Sequence, residues 1–443
     1  MANPKPGDFV EAVTADETIK GTLLQTPELE KDVVIIKLAS GYNIGINKGK
    51  IKKISLSPQQ PQKETAAGAI AATTKKTASK LPKISILHTG GTIASKVDYK
   101  TGGVTAAFSE EEMLGMFPEL RQIAEIKSRK IAQIQSEMMR FPHYNLVAKE
   151  IKKEIEAGAD GIIVTHGTDT MHYSSAALAF ILENLSTPVI LVGAQRSSDR
   201  GSTDAALNLI SAAYFIANSD FAGVAICMHE NMSDSSSLVL PPLKTRKMHA
   251  SRRDAFRPIN ANAIARVDYE ARNISFFGSH GKKGDTAKNG KLQLELFDEK
   301  IRVGLLKTHP NMFASEFLAY KGFDGLVVEG TGLGHLPNEE IDEFTAENKK
   351  IFAAVKSLIE SGTAVVMAPQ TIYGRIQLNV YTPQREIQSI GVLGHLSDMT
   401  PETTFIKLAW LLSNHKKAEV KELITKNLRG EITERTEPNA FLT

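Results

Sequence analysis

Two stretches of this chain place threonine hydroxyls beside glycine directly after a short apolar run: KISILHTGGTIASK at residues 83 to 96 and GIIVTHGTDTM at residues 161 to 171. A threonine hydroxyl is a weak nucleophile at its own pKa and needs a base, while the carbonyl it attacks needs backbone donors near the developing oxyanion. Glycine lets such backbone groups come close. Neither stretch has the lysine and spacing of a phosphate-binding loop, so acyl transfer is the chemistry these residue types fit. Read alone, the second stretch is better explained as a helix cap, with Asp169 or Thr170 leading into the helix that follows. Two such turns ending two strands of one sheet can face one cleft, and that pairing favours the chemical reading.

The base has to come from elsewhere. LKTRKMHASRRDAF, residues 243 to 256, is strongly basic and reads by itself as a solvated face or an RNA contact. Bringing a lysine to proton transfer at neutrality takes roughly 4 kcal/mol, supplied by desolvation or neighbouring cations. Composition does not choose among its lysines.

The elements that must position these residues follow from hydrophobic period and turn signals. Residues 1 to 56 hold short strands (FVEAV, TIKGTLLQ, VVIIKLA, YNIGI) between turn formers, a pattern that suits a small N-terminal β-barrel. Residues 57 to 82 mix proline, alanine and threonine without periodic apolar positions and read as a flexible linker. From residue 83 apolar strands alternate with helices: KISILHT, a helix near EEMLGM, GIIVTH, a helix over MHYSSAALAFILENL, PVILVGA, a helix over DAALNLISAAYFIA, and GVAICM. That alternation predicts a large α/β domain with a doubly wound parallel sheet over 83 to 274, whose ligands sit beyond the carboxyl ends of the strands. Residues 275 to 300 include the polar stretch SHGKKGDTAKNGK and read as an interdomain connection. RVGLLKTH, DGLVVEG, TAVVMAPQ and a helix over TTFIKLAWLLSN then give a smaller C-terminal α/β domain over 301 to 443.

The 443 residues exceed what one hydrophobic core organises, and 42% hydrophobic with 23% charged content is ordinary for a soluble globular chain. A formal net charge of +3 does not by itself argue for nucleic-acid binding. A single cysteine, Cys227, precludes an internal disulfide and reads as a small buried hydrophobe. No apolar run approaches the roughly 20 residues of a membrane span, and the start lacks a secretory pattern, so a cytoplasmic location is expected. GDTAKNGKL at 284 to 292 and GTGLGH at 330 to 335 fail the nucleotide-loop patterns. His166 and His172 are six apart across a turn, which matches no zinc spacing, and no metal or cofactor is expected in this chain.

TGGTIAS together with VTHGTDTM resembles the two signature motifs of the L-asparaginase and glutaminase family. The likeness runs from residue 83 to about 430 through VGAQR, KGFDGLVVEGTGLGHLP and DMTPET. It implies an asparaginase-like fold and amide hydrolysis through a threonyl acyl-enzyme. On that resemblance Thr92 is the nucleophile, Thr168, Asp169 and Lys247 form a supporting triad that shuttles protons, and Asp169 also holds the substrate's α-amino group. IQSEM places Ser136 on the α-carboxylate and Glu137 where family members commonly carry glutamine. Backbone groups of Gly91, Gly167 and Ala194 are candidate oxyanion or substrate contacts, and Tyr99 is the candidate lid tyrosine.

A free cytosolic L-asparaginase would need only residues 83 to 443. The N-terminal strands, KMHASRRDAFRPIN and YGRIQLNVY are similar to the D subunits of archaeal glutamyl-tRNA(Gln) amidotransferases. That branch implies a glutaminase whose ammonia passes to a partner, the E subunit of the amidotransferase, which binds Glu-tRNA(Gln) and holds ATP and Mg. It also implies a homodimeric core carrying two partners. The third reading is an RNA-binding protein with an inert asparaginase-like body, based on its basic segments.

Overall fold

The computed structural model describes residues 4–5, 8–24, 32–38, 43–57, 81–91, 95–97, 104–106, 117–196, 203–284 and 290–441. Almost all of the proposed linker, the helix expected near EEMLGM, Thr92 and Tyr99 lie outside these residues.

The first five strands are β1 (Phe9–Val13), β2 (Thr18–Leu24), β3 (Val33–Lys37), β4 (Asn43–Asn47) and β5 (Lys53–Leu56). They form one antiparallel sheet in the order β4-β3-β2-β1-β5 over a small core of Val10, Ala12, Ile19, Ile36 and Ile46. The expected barrel is corrected here to an open sheet. β1 is paired on both sides, by β2 and β5, while β4 pairs only with β3, so the two edges do not meet among the described residues.

The next unit contains β6 (Lys83–His88), β7 (Ser95–Val97), β8 (Val104–Ala106), α1 (Leu120–Ile123), β9 (Glu125–Lys130), α2 (Phe141–Glu156), β10 (Gly161–Thr165) and α3 (Met171–Ile181). β11 (Leu182–Glu183), β12 (Pro188–Val192), α4 (Ala205–Asn218), β13 (Gly223–His229), β14 (Ser237–Leu240), β15 (Thr245–Lys247) and β16 (Phe256–Pro258) follow. The unit ends with β17 (Ala265–Asp268), β18 (Asn273–Phe276) and β19 (Gln293–Leu294). Eight of these strands make the main sheet in the order β18-β17-β14-β13-β12-β10-β6-β9. β9, β6, β10, β12 and β13 run parallel, and the β14, β17, β18 edge runs antiparallel.

Successive residues of β10 serve opposite faces, as the two-residue strand period requires. Ile162 and Val164 join the apolar faces of α2 and α3, while Ile163 joins Leu209 and Phe215 of α4. Burial of each such side chain stabilises the fold by about 1.5–3 kcal/mol. Helices therefore cover both faces, and the sheet is doubly wound. Helix α2 reads Tyr144, Val147, Ala148 and Ile151 inward at spacings of three and four, with Pro142 in its first turn. Cys227 lies fully buried in β13, where burial pushes its thiol up to about 12.

The C-terminal unit has a parallel sheet of β20 (Val303–Lys307), β21 (Gly325–Gly330) and β22 (Ala364–Pro369). Its helices are α5 (Ala314–Leu318), α6 (Ala346–Glu360), α7 (Thr382–Ser389), α8 (Pro401–Asn414) and α9 (Lys417–Leu423). Val327 and Val366 face α8, and α8 also packs on α3, where Phe180 stacks on Trp410 at 5.2 Å. One continuous core thus joins the two units. Among the described residues no helix is long and apolar enough to cross a membrane.

Candidate active site

The two glycine turns leave the carboxyl ends of neighbouring parallel strands: β6 and β10 pair with His88 opposite Thr165. His88 is buried, with Nδ1 2.7 Å from Thr165 Oγ1 and Nε2 2.8 Å from Ser128 Oγ, so one ring ties β9, β6 and β10 together. Burial lowers its pKa to about 4, and it stays neutral at physiological pH. Thr89 donates from its amide and its hydroxyl to the Thr165 carbonyl, at 3.2 and 2.9 Å, which is a structural use of the first threonine.

The glycines have a reason that the sequence did not disclose. Gly90 and Gly91 sit at φ 121° and 81°, in the left-handed region. A Cβ on Gly91 would stand 2.4 Å from Gly167 N, and one on Gly90 2.4 Å from the Ile134 carbonyl oxygen. Three turns, after β6, β9 and β10, therefore pack backbone on backbone. Ser136 lies in the third contact, since a Cβ on Gly167 would meet its Oγ at 2.8 Å.

On the β10 turn, Thr170 is the residue that precedes α3, yet its hydroxyl donates to the Ser136 carbonyl at 2.6 Å and does not cap the helix. Asp169 does not cap it either. Lys247 Nζ donates to Asp169 Oδ1 at 2.7 Å and to Thr168 Oγ1 at 2.9 Å, which brings together three of the four residues assigned to catalysis. Lys247 and Thr168 are nearly covered, while the Asp169 side chain is 66% exposed. The carboxylate can thus hold Lys247 and still meet a cationic ligand from solvent.

Lys247 ends β15 and pairs with Phe256 across a hairpin. The DMTPET segment anchors that hairpin: Lys244 pairs with Asp398 at 2.7 Å, Arg246 with Glu402 at 2.9 Å, and Thr403 donates to the Leu243 carbonyl at 2.9 Å. The remaining cations of the basic run are also engaged. Arg252 and Arg257 bind Asp254, and Arg253 binds Asp234 at 2.6 Å. The segment that reads as a solvated or RNA-facing patch is therefore a scaffold in which the arginines are already paired.

Beside the triad lies a cleft of about 460 Å³ whose wall includes Asp169, His172, Tyr173, Arg246, Lys247 and Glu402. His172 is held down to about 3, first by burial and then by the Arg246 and Lys247 charges. His166 is likewise buried and lowered to about 4; its ring contacts the Gly167 carbonyl and Ser174 Oγ, so it packs the turn. Ala194 is buried just past β12, and Glu137 is exposed. Gln195, which the sequence reading passed over, puts Oε1 3.4 Å from Thr168 Oγ1. The available signal was a polar residue three positions beyond β12, whose carboxyl end neighbours that of β10. Among the described residues no three His, Cys, Asp or Glu side chains converge as metal ligands.

Comparison with known proteins shows the family. Family models match residues 83–280 (Asparaginase, N-terminal), 302–424 (Glutaminase/Asparaginase C-terminal domain) and 4–56 (GatD N-terminal domain). The D subunit of the glutamyl-tRNA(Gln) amidotransferase of Pyrococcus furiosus is 41% identical over 446 residues, 98% of this chain and 97% of the relative. The chain belongs to the D-subunit family of glutamyl-tRNA(Gln) amidotransferases.

Other D-subunit relatives are equally extensive. That of Methanococcus maripaludis is 41% identical over 97% of this chain and 98% of the relative. Among solved structures, the thermostable L-asparaginase from Thermococcus kodakarensis has TM-score 0.68 and 28% identity, covering 80% of this chain and 100% of that one. L-asparaginase I from Vibrio cholerae has TM-score 0.67 and 25% identity, covering 80% and 99%. The asparaginase-like α/β fold is thus shared, while the match at 4–56 is with the GatD N-terminal domain, a feature of the D-subunit family.

Proposed function

We propose that this chain removes ammonia from glutamine as the glutaminase subunit of a tRNA-dependent amidotransferase that converts Glu-tRNA(Gln) to Gln-tRNA(Gln). The observation that carries the reading is the convergence of Lys247 on Thr168 and Asp169 beside the TGGT turn, in a chain matching D-subunit relatives from end to end.

In this mechanism Thr92 Oγ adds to the carboxamide carbon, and its proton passes through Thr168 toward Lys247. Collapse of the tetrahedral intermediate breaks the C–N bond; the nitrogen takes up the proton and leaves as ammonia, and a γ-glutamyl ester remains on Thr92. Water then cleaves the ester and glutamate departs. Asp169 holds the substrate ammonium with the face of its carboxylate that Lys247 leaves open, and Ser136 meets the α-carboxylate. Backbone groups of Gly91, Gly167 and Ala194 stabilise the oxyanion or orient the substrate. Glu137 takes the place of the family's glutamine among the substrate contacts, and Tyr99 is the lid tyrosine. Before reaction the Thr168 hydroxyl donates to Gln195; in the relay it turns its hydrogen to Lys247 as it takes up the proton of Thr92.

The ammonia passes to a partner, the E subunit of the same amidotransferase, which binds the misacylated tRNA and activates its glutamate with ATP and Mg. A homodimeric core carrying two partners and a cytoplasmic location complete the reading. The paired cations of residues 244 to 257 favour this enzyme over an inert RNA-binding body.

Thr92→Val in the reconstituted complex tests the assignment. Glutamine-dependent transamidation should disappear while transamidation with added ammonium persists, because activation occurs on the partner. Loss of both reactions in a folded variant would overturn it.

A further inference from the structure

The C-terminal unit holds its two most exposed large apolar side chains, among the described residues, on one loop. Between β21 and α6 the chain reads NEEIDEFTAENKK, residues 338 to 350, and Ile341 and Phe344 are 78% and 85% exposed. The loop backbone is fixed. Thr345 Oγ1 accepts from the amides of Ile341 and Asp342, each at 2.9 Å, and Asp342 Oδ1 accepts from the Phe344 amide at 3.1 Å. Asn348 Nδ2 donates to the Glu339 carbonyl at 3.0 Å and closes the loop onto the first turn of α6.

A further bond, from the Ala314 amide to Glu347 Oε1 at 3.1 Å, joins the first turn of α6 to the start of α5, where Phe313 and Leu318 at its two ends are about half exposed. Large apolar groups on a pre-ordered backbone lose little entropy when a partner covers them. A phenylalanine and an isoleucine clustered in this way have the composition of an interface anchor, within a contact that needs about 800 Å² per partner to be stable.

The rim selects the occupant. Residues 339 to 347 hold five carboxylates and no cation. Lys349 and Lys350 pair with Glu340 and Glu347, which leaves Glu339, Asp342 and Glu343 without an ion pair among the described residues. Phosphate backbones and anionic membranes are repelled by such a rim. A second copy meeting it through the same face would set carboxylates against carboxylates.

We infer that the Ile341–Phe344 loop is the docking anchor for a protein of different sequence, one with an apolar pocket rimmed by lysine or arginine. Resting on the functional reading above, that protein is the ATP-dependent partner subunit. Titration of the full chain with that partner at 0.1 and 0.5 M salt, chosen on the order of the Debye-length change that separates screened from unscreened charges, tests this.

Ile341→Ser with Phe344→Ser should weaken binding by roughly 100-fold or more, as expected for loss of a central anchor. Glu340→Lys with Glu343→Lys should weaken it and flatten the salt dependence. Unchanged melting temperatures certify both folds. Should the unaltered chain fail to bind the partner, the functional reading falls; should it bind while both variants bind equally well, this inference alone falls. A variant that binds normally but changes the homo-oligomeric state by light scattering, or loses affinity for tRNA added alone, assigns the loop to another occupant and overturns the inference.

Discussion

Lys244 and Lys247 stand three residues apart on one hairpin, and each meets an aspartate at 2.7 Å, yet the two clusters are built for different ends. Around Asp398 the ion pair itself is enclosed, with the Arg375 guanidinium 3.8 Å away as a second, partly exposed cation. Lys244 is 1% exposed, Asp398 is fully buried, and the carboxylate also accepts from the Thr433 amide at 3.1 Å and the Thr433 hydroxyl. Burial pulls the Lys244 pKa below the ordinary lysine value, with Asp398 opposing it. Around Asp169 the carboxylate faces the cleft and Lys247 divides its donors between that carboxylate and a hydroxyl. An ion pair with all its valences satisfied is a strut; one that leaves oxygen lone pairs toward solvent can meet a substrate.

The largest effect that should separate the two lysines is on turnover. Lys247→Met is expected to lower glutamine-dependent activity by about 1,000-fold, within the range for a positioned proton-transfer group, with a melting temperature near that of the unaltered chain. Retention of more than a tenth of the activity would remove Lys247 from the chemistry.

Lys244→Met should behave in the opposite sense. Removing Lys244 leaves the buried Asp398 with only the more distant Arg375, at 3.8 Å, as counter-charge and should cost about 3 kcal/mol in urea unfolding, the lower end of the range for a broken buried pair, while activity per folded molecule changes little. Equal losses of activity in both variants, at equal stability, would erase the distinction.

Acid should resolve the clusters more gently. His88 and His166 have folded pKa values of about 4 against an ordinary value near 6.5, so the unfolded chain binds more protons throughout that interval. Their stabilising contribution is complete above the unfolded value and is lost as pH falls toward the folded one. By pH 5.5 each should have given up roughly 1 kcal/mol. Hydrogen exchange, corrected for its intrinsic rate, should rise at the β10 turn before it rises at the start of α8; simultaneous release of both would count against this account.

The hairpin also shows where sequence reading reached its limit. β6, β10, β12, β13 and the C-terminal strands were legible because runs such as GIIVT and AVVMAP are apolar throughout and bounded by turn formers. The strand EIKSRK was not, since as a sheet edge it alternates and its Lys127 and Arg129 reach out to Glu154. Helix α2 was not singled out although its apolar positions recur at spacings of three and four, and β14, β17 and β18 are only four residues each, too short for a period to show. The open N-terminal sheet was read as a barrel because strand count and turn spacing are alike in both, and only edge pairing tells them apart.

What the sequence determined by itself was the alternation that builds the doubly wound sheet, the two threonine–glycine turns that end two strands of one sheet, and the motif likeness that singled out Thr92, Thr168, Asp169 and Lys247. Those signals are local, carried by hydrophobic period and turn chemistry over a few residues. Tertiary structure decided the rest: that Gly91 is glycine because Gly167 lies against it, that Lys247 alone among the hairpin cations turns to Thr168, and that DMTPET, more than 140 residues further on, holds that hairpin in place. Each is a contact between distant segments, set by packing and charge pairing that no spacing along the chain encodes.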